Sequence, residues 1–431
     1  MQTTIQDWQP ENQTYWEKKG KKVATRNLWI SIPALLLSFC VWMLWSAVAV
    51  NLNSVGFNFS TNQLFTLAAL PGLTGATLRI FYSFMVPVVG GRNWTVITTA
   101  SLLIPSIGIG IAVQDPNTSF TVMALLAALC GFGGGNFASS MSNISFFYPT
   151  KVKGMALGLN AGLGNLGVSV VQFLAPIVIG VSLFGGDGQW MQVDEETKRV
   201  WMQNAAYVWV IPIVITSIAA FFGMNNLSSA KASFSEQAVI FKRKHMWLMT
   251  WLYTMCFGSF IGYSAAFPLL IKHQFPEVNA LQLAFLGPMV GALLRPVGGW
   301  ISDKFGGARV TFWDVIVMII ATCGVIYFIN VDHFGGFFIM FMILFVTTGI
   351  ANGSTFRMIP IIFEPKEAAP VLGFTSAIAA YGAFFIPKAF GSSIEATGSP
   401  DVALYAFVLY YVISLGITWY YYARKNAEVK C

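Results

Sequence analysis

Twelve apolar runs, each long enough to cross a bilayer at ~20 residues, follow one another along this chain with short polar breaks between them. They fall near 28–50, 62–89, 93–113, 118–147, 152–184, 203–223, 245–271, 278–302, 308–331, 335–363, 368–394 and 402–423. In hydrocarbon every backbone N–H and C=O must find its partner inside the protein, which leaves only helices or closed barrels. Uninterrupted runs of this length select helices over the short alternating segments of a barrel. Only 10% of the residues are charged, where soluble domains carry about 25%. The expected fold class is an all-α membrane protein with twelve transmembrane helices.

The first 27 residues are polar and rich in Trp, Lys and Glu, without the short apolar core and small-residue cleavage site of a secretory signal. The five cysteines are scattered, with no CxxC pair and no disulfide framework. The net charge of +7 would suit nucleic acid, but its distribution points elsewhere. With the N-terminus inside, 18 of the 25 Lys and Arg fall in cytoplasmic segments, among them Lys18, Lys19, Lys242, Arg243, Lys244, Arg424 and Lys425. This satisfies the positive-inside rule with both termini cytoplasmic. The basic excess therefore addresses the lipid bilayer, and no nucleic acid is expected.

The two halves match at an offset of 216 residues. Gly75-Ala76-Thr77-Leu78-Arg79 parallels Gly291-Ala292-Leu293-Leu294-Arg295, Gly90-Gly91 parallels Gly306-Gly307, and Asn136 with Pro149 parallels Asn352 with Pro365. Each half holds six spans, so the repeat is parallel, as in the two halves of major facilitator transporters. The expected organisation is a cytoplasmic tail (1–27), an N-terminal six-helix half (28–223), a cytoplasmic linker (224–244) and a C-terminal six-helix half with a short tail (245–431). Residues 298–309, GGWISDKFGGAR, resemble the major facilitator loop signature, in which an acid and basic residues clamp neighbouring helix ends.

Arg79 and Arg295 each lie deep in an apolar run, where a guanidinium costs about 2.5–3.5 kcal/mol on insertion scales. Of the 18 acidic residues only Asp314 lies inside a span, and it is expected to form a structural pair with Arg357 at similar depth on the next helix. That leaves Arg79 and Arg295 for an anion, and the Arg fork suits planar oxyanions. The glycines Gly158, Gly162, Gly164 and Gly167 are read as helix-packing positions that also permit rocking. Asn165 within that run needs a polar partner. Phe39, Phe137, Tyr253 and Phe257 lie near mid-span, where the residues alone favour packing over a site. His245, His273 and His333 sit near span ends, and no metal cluster or haem-ligand pattern is present, so an enzyme is not expected, nor any cofactor.

RNLWISIPALLLSFCVWMLWSAVAVNL (26–52), LRIFYSFMVPVVGGR (78–92), NFASSMSNISFFYP (136–149), GLNAGLGNLGVS (158–169) and GFTSAIAAYGAFFIPKAFG (373–391) together resemble the nitrate/nitrite porter family of the major facilitator superfamily, of the bacterial NarK type. The resemblance implies that Arg79 and Arg295 bind nitrate or nitrite from opposite halves. It further implies that Asn165 and Tyr253 hydrogen-bond the anion, that Phe39, Phe137 and Phe257 sandwich or gate it, and that Ser376 lines the pathway. It implies a monomer in the bacterial inner membrane, linked functionally to a cytoplasmic nitrate reductase. Two unit charges 4 Å apart repel by ~4 kcal/mol at an effective dielectric near 20, and one anion between them reverses the sign. An empty carrier would then reorient slowly, which favours nitrate/nitrite exchange by alternating access. Nitrate–proton symport, with Asp314 as the buried acid, and transport of another small inorganic anion are the alternatives.

Overall fold

The computed structural model describes residues 4–193, 196–230 and 238–431. Twelve of its helices are long and apolar enough to span a membrane. They are α1 (Gln13–Trp42), α2 (Thr61–Tyr82), α3 (Gly91–Ala112), α4 (Phe120–Phe147), α5 (Thr150–Ile179) and α6 (Asn204–Gly223). The second six are α7 (Lys244–Gln274), α8 (Ala280–Phe305), α9 (Gly307–Asn330), α10 (Phe334–Ile362), α11 (Pro370–Thr397) and α12 (Asp401–Ala423). Large apolar side chains such as Ile104, Leu125, Ile215, Trp313 and Ile320 are exposed on their outer faces, as a chain solvated by lipid requires.

The largest departure from the sequence reading is α1, which begins inside the stretch read as a polar tail. Apolar packing explains it. Trp8 is 7% exposed, meets Tyr15 and Phe147 edge-on at 5.6 and 5.4 Å, and donates its indole N–H to the Phe146 carbonyl at 3.0 Å. Thr4–Ile5 pairs in parallel with Asn226–Leu227. Residues 231–237 of the expected linker lie outside the described residues.

The chain divides into two compact units. One comprises Met1–Leu44, Ser54–Phe57 and Thr74–Gln237; the other comprises Ala238–Cys431 with Trp45–Asn53 and Asn58–Leu73. In the first, glycines bring α1, α2 and α4 together. A Cβ added at Gly75 would lie 2.5 Å from the Trp42 indole nitrogen and 3.0 Å from Gly134 Cα. In the second, α8 and α10 meet the same way, with a Cβ at Gly349 falling 2.9 Å from Gly291 Cα. Repeated glycine positions thus produce repeated close crossings.

The turns that start α3 and α9 repeat as well. Gly90 and Gly306 have φ of 91° and 89°, a region open to glycine at no steric cost. Each following helix is capped by a segment that comes after the last span of its half. Asn226 Oδ1 accepts from Arg92 N at 2.9 Å, and the Cys431 carbonyl accepts from Ala308 N at 3.3 Å.

In the second unit α7 is the interior helix, with 94% of its apolar window buried. The first part of α2 packs on α11 there. Lys388, an in-span cation, donates to Asn62 Oδ1 at 2.8 Å and Thr66 Oγ1 at 3.0 Å. Asn62 in turn donates to Glu395.

Candidate functional site

In the first unit the chemistry gathers around Arg79, which has no exposed surface. Its Nε donates to the Gly134 carbonyl at 3.0 Å. Its guanidinium carbon lies 4.8 Å from the centre of the Phe137 ring and 5.2 Å from that of Trp42. Phe39 meets Phe137 edge-on at 6.2 Å and Trp42 at 5.5 Å. A desolvated cation on an aromatic face gains about 2 kcal/mol, and a hydrogen bond to a charged group about 1.5–3 kcal/mol. The glycine crossing is what makes this arrangement possible, because it brings the α4 backbone close enough to serve as acceptor. Residues 18–114 and 116–186 contain no Asp or Glu.

Asn165 ends the first segment of α5, where the helix breaks at Leu166. The break is fixed by Gly164 and Gly167, which pack on α1 at Leu35 and at Leu36 and Phe39. Asn165 is 1% exposed, and neither atom of its amide has a hydrogen-bond partner. Leaving a buried amide unsatisfied costs about 1–3 kcal/mol per group.

In the second unit Arg295, 9% exposed, donates from Nη2 to the Tyr253 hydroxyl at 3.3 Å. Its guanidinium carbon lies 5.0 Å from the centre of the Phe356 ring. Nη1 is buried without a partner. Tyr253 stacks on Phe257 at 5.8 Å with an interplanar angle of 11°. A π-helical turn, Thr254–Gly258, interrupts α7 directly after Tyr253. π-turns inside α-helices recur at functional sites.

The structure therefore brings Arg79 together with Phe39 and Phe137, and Arg295 with Tyr253 and Phe257. Ser376 donates to the Gly373 carbonyl of its own helix at 2.9 Å. Trp42, Phe356 and the Gly134 carbonyl are part of the arginine surroundings and escaped the sequence reading. Trp42 carried a usable signal, lying three residues after Phe39 and so on the same helix face. Phe356 carried none, because nothing distinguishes it from the other 36 phenylalanines among the 37.

Two expectations are corrected. Arg357 does not pair with Asp314; its Nε donates to Asp303 Oδ1 at 2.8 Å, and Nη2 bonds the same oxygen. Asp303 stands at the end of α8 and is exposed, so the pair forms where neither charge is desolvated. Asp314 stays 8% exposed, and its Oδ2 has no partner. Of the four glycines of α5 read as packing positions, only Gly164 and Gly167 meet a neighbouring helix. A Cβ at Gly158 or Gly162 would meet nothing within 4 Å.

The chain matches the Major Facilitator Superfamily over residues 21–387. It is 51% identical over 450 residues to the nitrate/nitrite transporter NarU of Salmonella typhimurium strain LT2, covering 98% of this chain and 97% of that protein. The chain belongs to the nitrate/nitrite porter family of the major facilitator superfamily. This porter is also 41% identical over 440 residues to the probable nitrate/nitrite antiporter NarK2 of Thermus thermophilus, covering 100% of the chain and 98% of the relative. Its fold resembles that of a D-xylose–proton symporter with a TM-score of 0.71 at 14% identity, covering 92% of the porter and 97% of that chain. At that identity the likeness speaks for architecture alone. The porter has the major facilitator fold of twelve membrane helices.

Proposed function

We propose that this porter carries nitrate and nitrite across the bacterial inner membrane by alternating access of its two six-helix halves, exchanging one anion for the other. Arg79 and Arg295 supply the positive charge, Asn165 and Tyr253 the directional hydrogen bonds, and Phe39, Phe137 and Phe257 the apolar walls that strip water from the anion. Ser376 lines the route. The protein works as a monomer with both termini in the cytoplasm, where a nitrate reductase would consume the incoming anion. The observation that carries this reading is Arg295: a buried guanidinium whose Nη1 lacks any partner and whose Nη2 rests on a neutral phenol. A monovalent oxyanion with parallel acceptors completes such a fork. The names of the relatives agree on the anions.

Exchange follows from the electrostatics. Arg79 and Arg295 carry positive charge that a bound anion would offset, so return of the empty carrier is slow and a second anion speeds it. Counterflow in proteoliposomes tests this at clamped pH and voltage. Labelled nitrate is expected to enter only when nitrite or nitrate is inside, and uptake that is equally fast without internal anion refutes exchange. One observation favours a second reading. Asp314 is a buried acid with an unpartnered oxygen, a suitable proton carrier for nitrate–proton symport. Uptake driven by an imposed pH gradient without internal anion selects that reading.

A further inference from the structure

A cavity of about 500 Å³ opens at the foot of the second unit, between the end of α8, the start of α9 and the chain that follows α12. Three cations line it, Arg309, Lys425 and Lys430, together with Phe305, Tyr422 and Cys431. No acid lines it. The tail that closes it is pinned at both ends. Val429 N donates to the Tyr421 carbonyl at 3.2 Å, and Ala308 N donates to the Cys431 carbonyl at 3.3 Å. A Cβ at Gly306 would fall 2.9 Å from that same Cys431 oxygen, so the wall is a fitted contact rather than a trailing end.

The acids of this end of the unit are engaged elsewhere. Asp303 holds Arg357, Glu367 holds Arg243 at 2.7 Å, and Glu428 bonds Lys244 at 2.6 Å and His245 at 3.2 Å. The Lys244 ammonium keeps the Glu428 carboxyl below its ordinary range. Glu364 acts on Arg243. Burial pushes the Cys431 thiol up to about 12, so the thiol is neutral. Among the described residues, Arg309, Lys425 and Lys430 have neither an ion pair nor a side-chain hydrogen bond. Basic residues on this side are ordinary in a membrane protein. Three that converge on one concavity while their neighbours are paired are not explained by topology alone.

We propose that this cavity binds a phosphate-bearing anion, and that the occupant is the headgroup of an acidic membrane lipid. Basic pockets at the ends of membrane helices are suited to such headgroups. The rim supports a lipid source. Phe305 is 63% exposed and Trp300, one turn earlier on α8, is 58% exposed, with Lys304 Nζ 3.9 Å from the Trp300 ring centre. Just past α12, the Arg424 guanidinium lies 4.0 Å from the Tyr420 ring centre. Aromatic rings with adjacent cations mark the headgroup level, so the phosphate of a lipid seated there would meet the three cations while its chains follow the exposed faces of α8 and α12.

The test uses the whole purified protein in detergent. Short-chain phosphatidylglycerol, phosphatidylcholine and inorganic phosphate are titrated against wild type and the triple variant R309Q/K425Q/K430Q. Binding is read by native mass spectrometry and by the shift in melting temperature. Phosphatidylglycerol is expected to bind saturably and phosphatidylcholine not. The triple variant is expected to bind it on the order of 100-fold more weakly, from about a factor of five per basic residue. A charge-retaining variant, K425R/K430R, should keep the binding and guards against a folding defect. Inorganic phosphate that binds as tightly as the lipid, and is lost in the triple variant, supports the site but assigns it to free phosphate. Phosphatidylglycerol binding that is absent from wild type, or unchanged in the triple variant, overturns the proposal.

Discussion

Arg79 and Arg295 occupy matching places in the two halves, and the same pair of repeat-related helices surrounds each: α1 and α4 in one half, α7 and α10 in the other. The chemistry offered by those helices differs. Arg79 is fully buried, bonded through Nε to a backbone carbonyl and flanked by two rings. Arg295 keeps 9% exposure, leans on a tyrosine hydroxyl and lies near one ring. A backbone carbonyl at a glycine crossing cannot move without the helix. A phenol hydroxyl can turn without the helix, and on the proposed function it would turn from the guanidinium to an incoming anion. The repeat thus fixes where the charge sits, while its partners decide how rigidly it is held. Arg79 is the anchored member and Arg295 the adjustable one.

The strongest way to break this comparison is to keep the charge and remove the fork. Arg79→Lys and Arg295→Lys are each expected to lower exchange on the order of 100-fold in counterflow, since each loses charge-assisted hydrogen bonds of about 1.5–3 kcal/mol apiece. They should differ in stability. Arg79→Lys also loses the bond to Gly134 and the ring contacts, so its melting temperature should fall clearly, whereas that of Arg295→Lys should change little. Near-normal counterflow in either variant removes the case for a forked site, and equal loss of stability in both removes the distinction between them.

Asn165→Ala should follow at about 10-fold in exchange, the value of a single polar contact of about 1.4 kcal/mol. Its melting temperature should hold or rise, because the variant deletes a buried amide that lacks partners in the folded protein. A structural asparagine would show the opposite pattern, destabilised and still active. Tyr253→Phe is smaller again. It removes only the hydroxyl near Arg295, and a several-fold rise in KM with kcat nearly kept is expected, in line with a net hydrogen bond of about 0.5–1.5 kcal/mol. A fall in kcat without any change in KM would mean that the hydroxyl serves the conformational step instead.

The sequence revealed the charges and the repeat more readily than the partners. Twelve spans follow from hydropathy because lipid leaves the backbone few options, and the 216-residue offset predicts paired turns that appear at Gly90 and Gly306 with nearly equal φ. Trp42 and Phe356 were hidden because aromatic residues make up 15% of the chain, and which ring meets which cation depends on helix rotation. Asp303 was visible in the loop signature, but its choice of Arg357 was not. Depth along a helix read from sequence is uncertain by a turn or more, and that is the difference between Asp303 and Asp314. The helical start at Gln13 inside the stretch read as a tail was not legible, because it goes with Trp8 packing on Tyr15 of α1 and Phe147 of α4, a tertiary contact with no local periodicity.

Asp314 supplies the last and smallest expected effect. The offset that pairs Arg79 with Arg295 pairs Asp314 with Thr98, so the acid has no counterpart in the first half. Thr98 satisfies itself by donating to the Trp94 carbonyl of its own helix at 2.9 Å. Asp314 leaves Oδ2 buried and unsatisfied in the half that holds the more adjustable arginine. If exchange is the mechanism, that carboxyl has no turnover role, and Asp314→Asn should change counterflow at clamped pH by less than about twofold, within the scatter of a lost neutral contact. Asp314→Thr, which installs the first half's solution, should behave the same way and raise the melting temperature slightly. If the asymmetry instead marks a proton carrier, both variants should abolish uptake driven by a pH gradient while sparing nitrate/nitrite counterflow. The two assays on one variant therefore separate an inherited irregularity of the second half from a coupling device that the first half lacks.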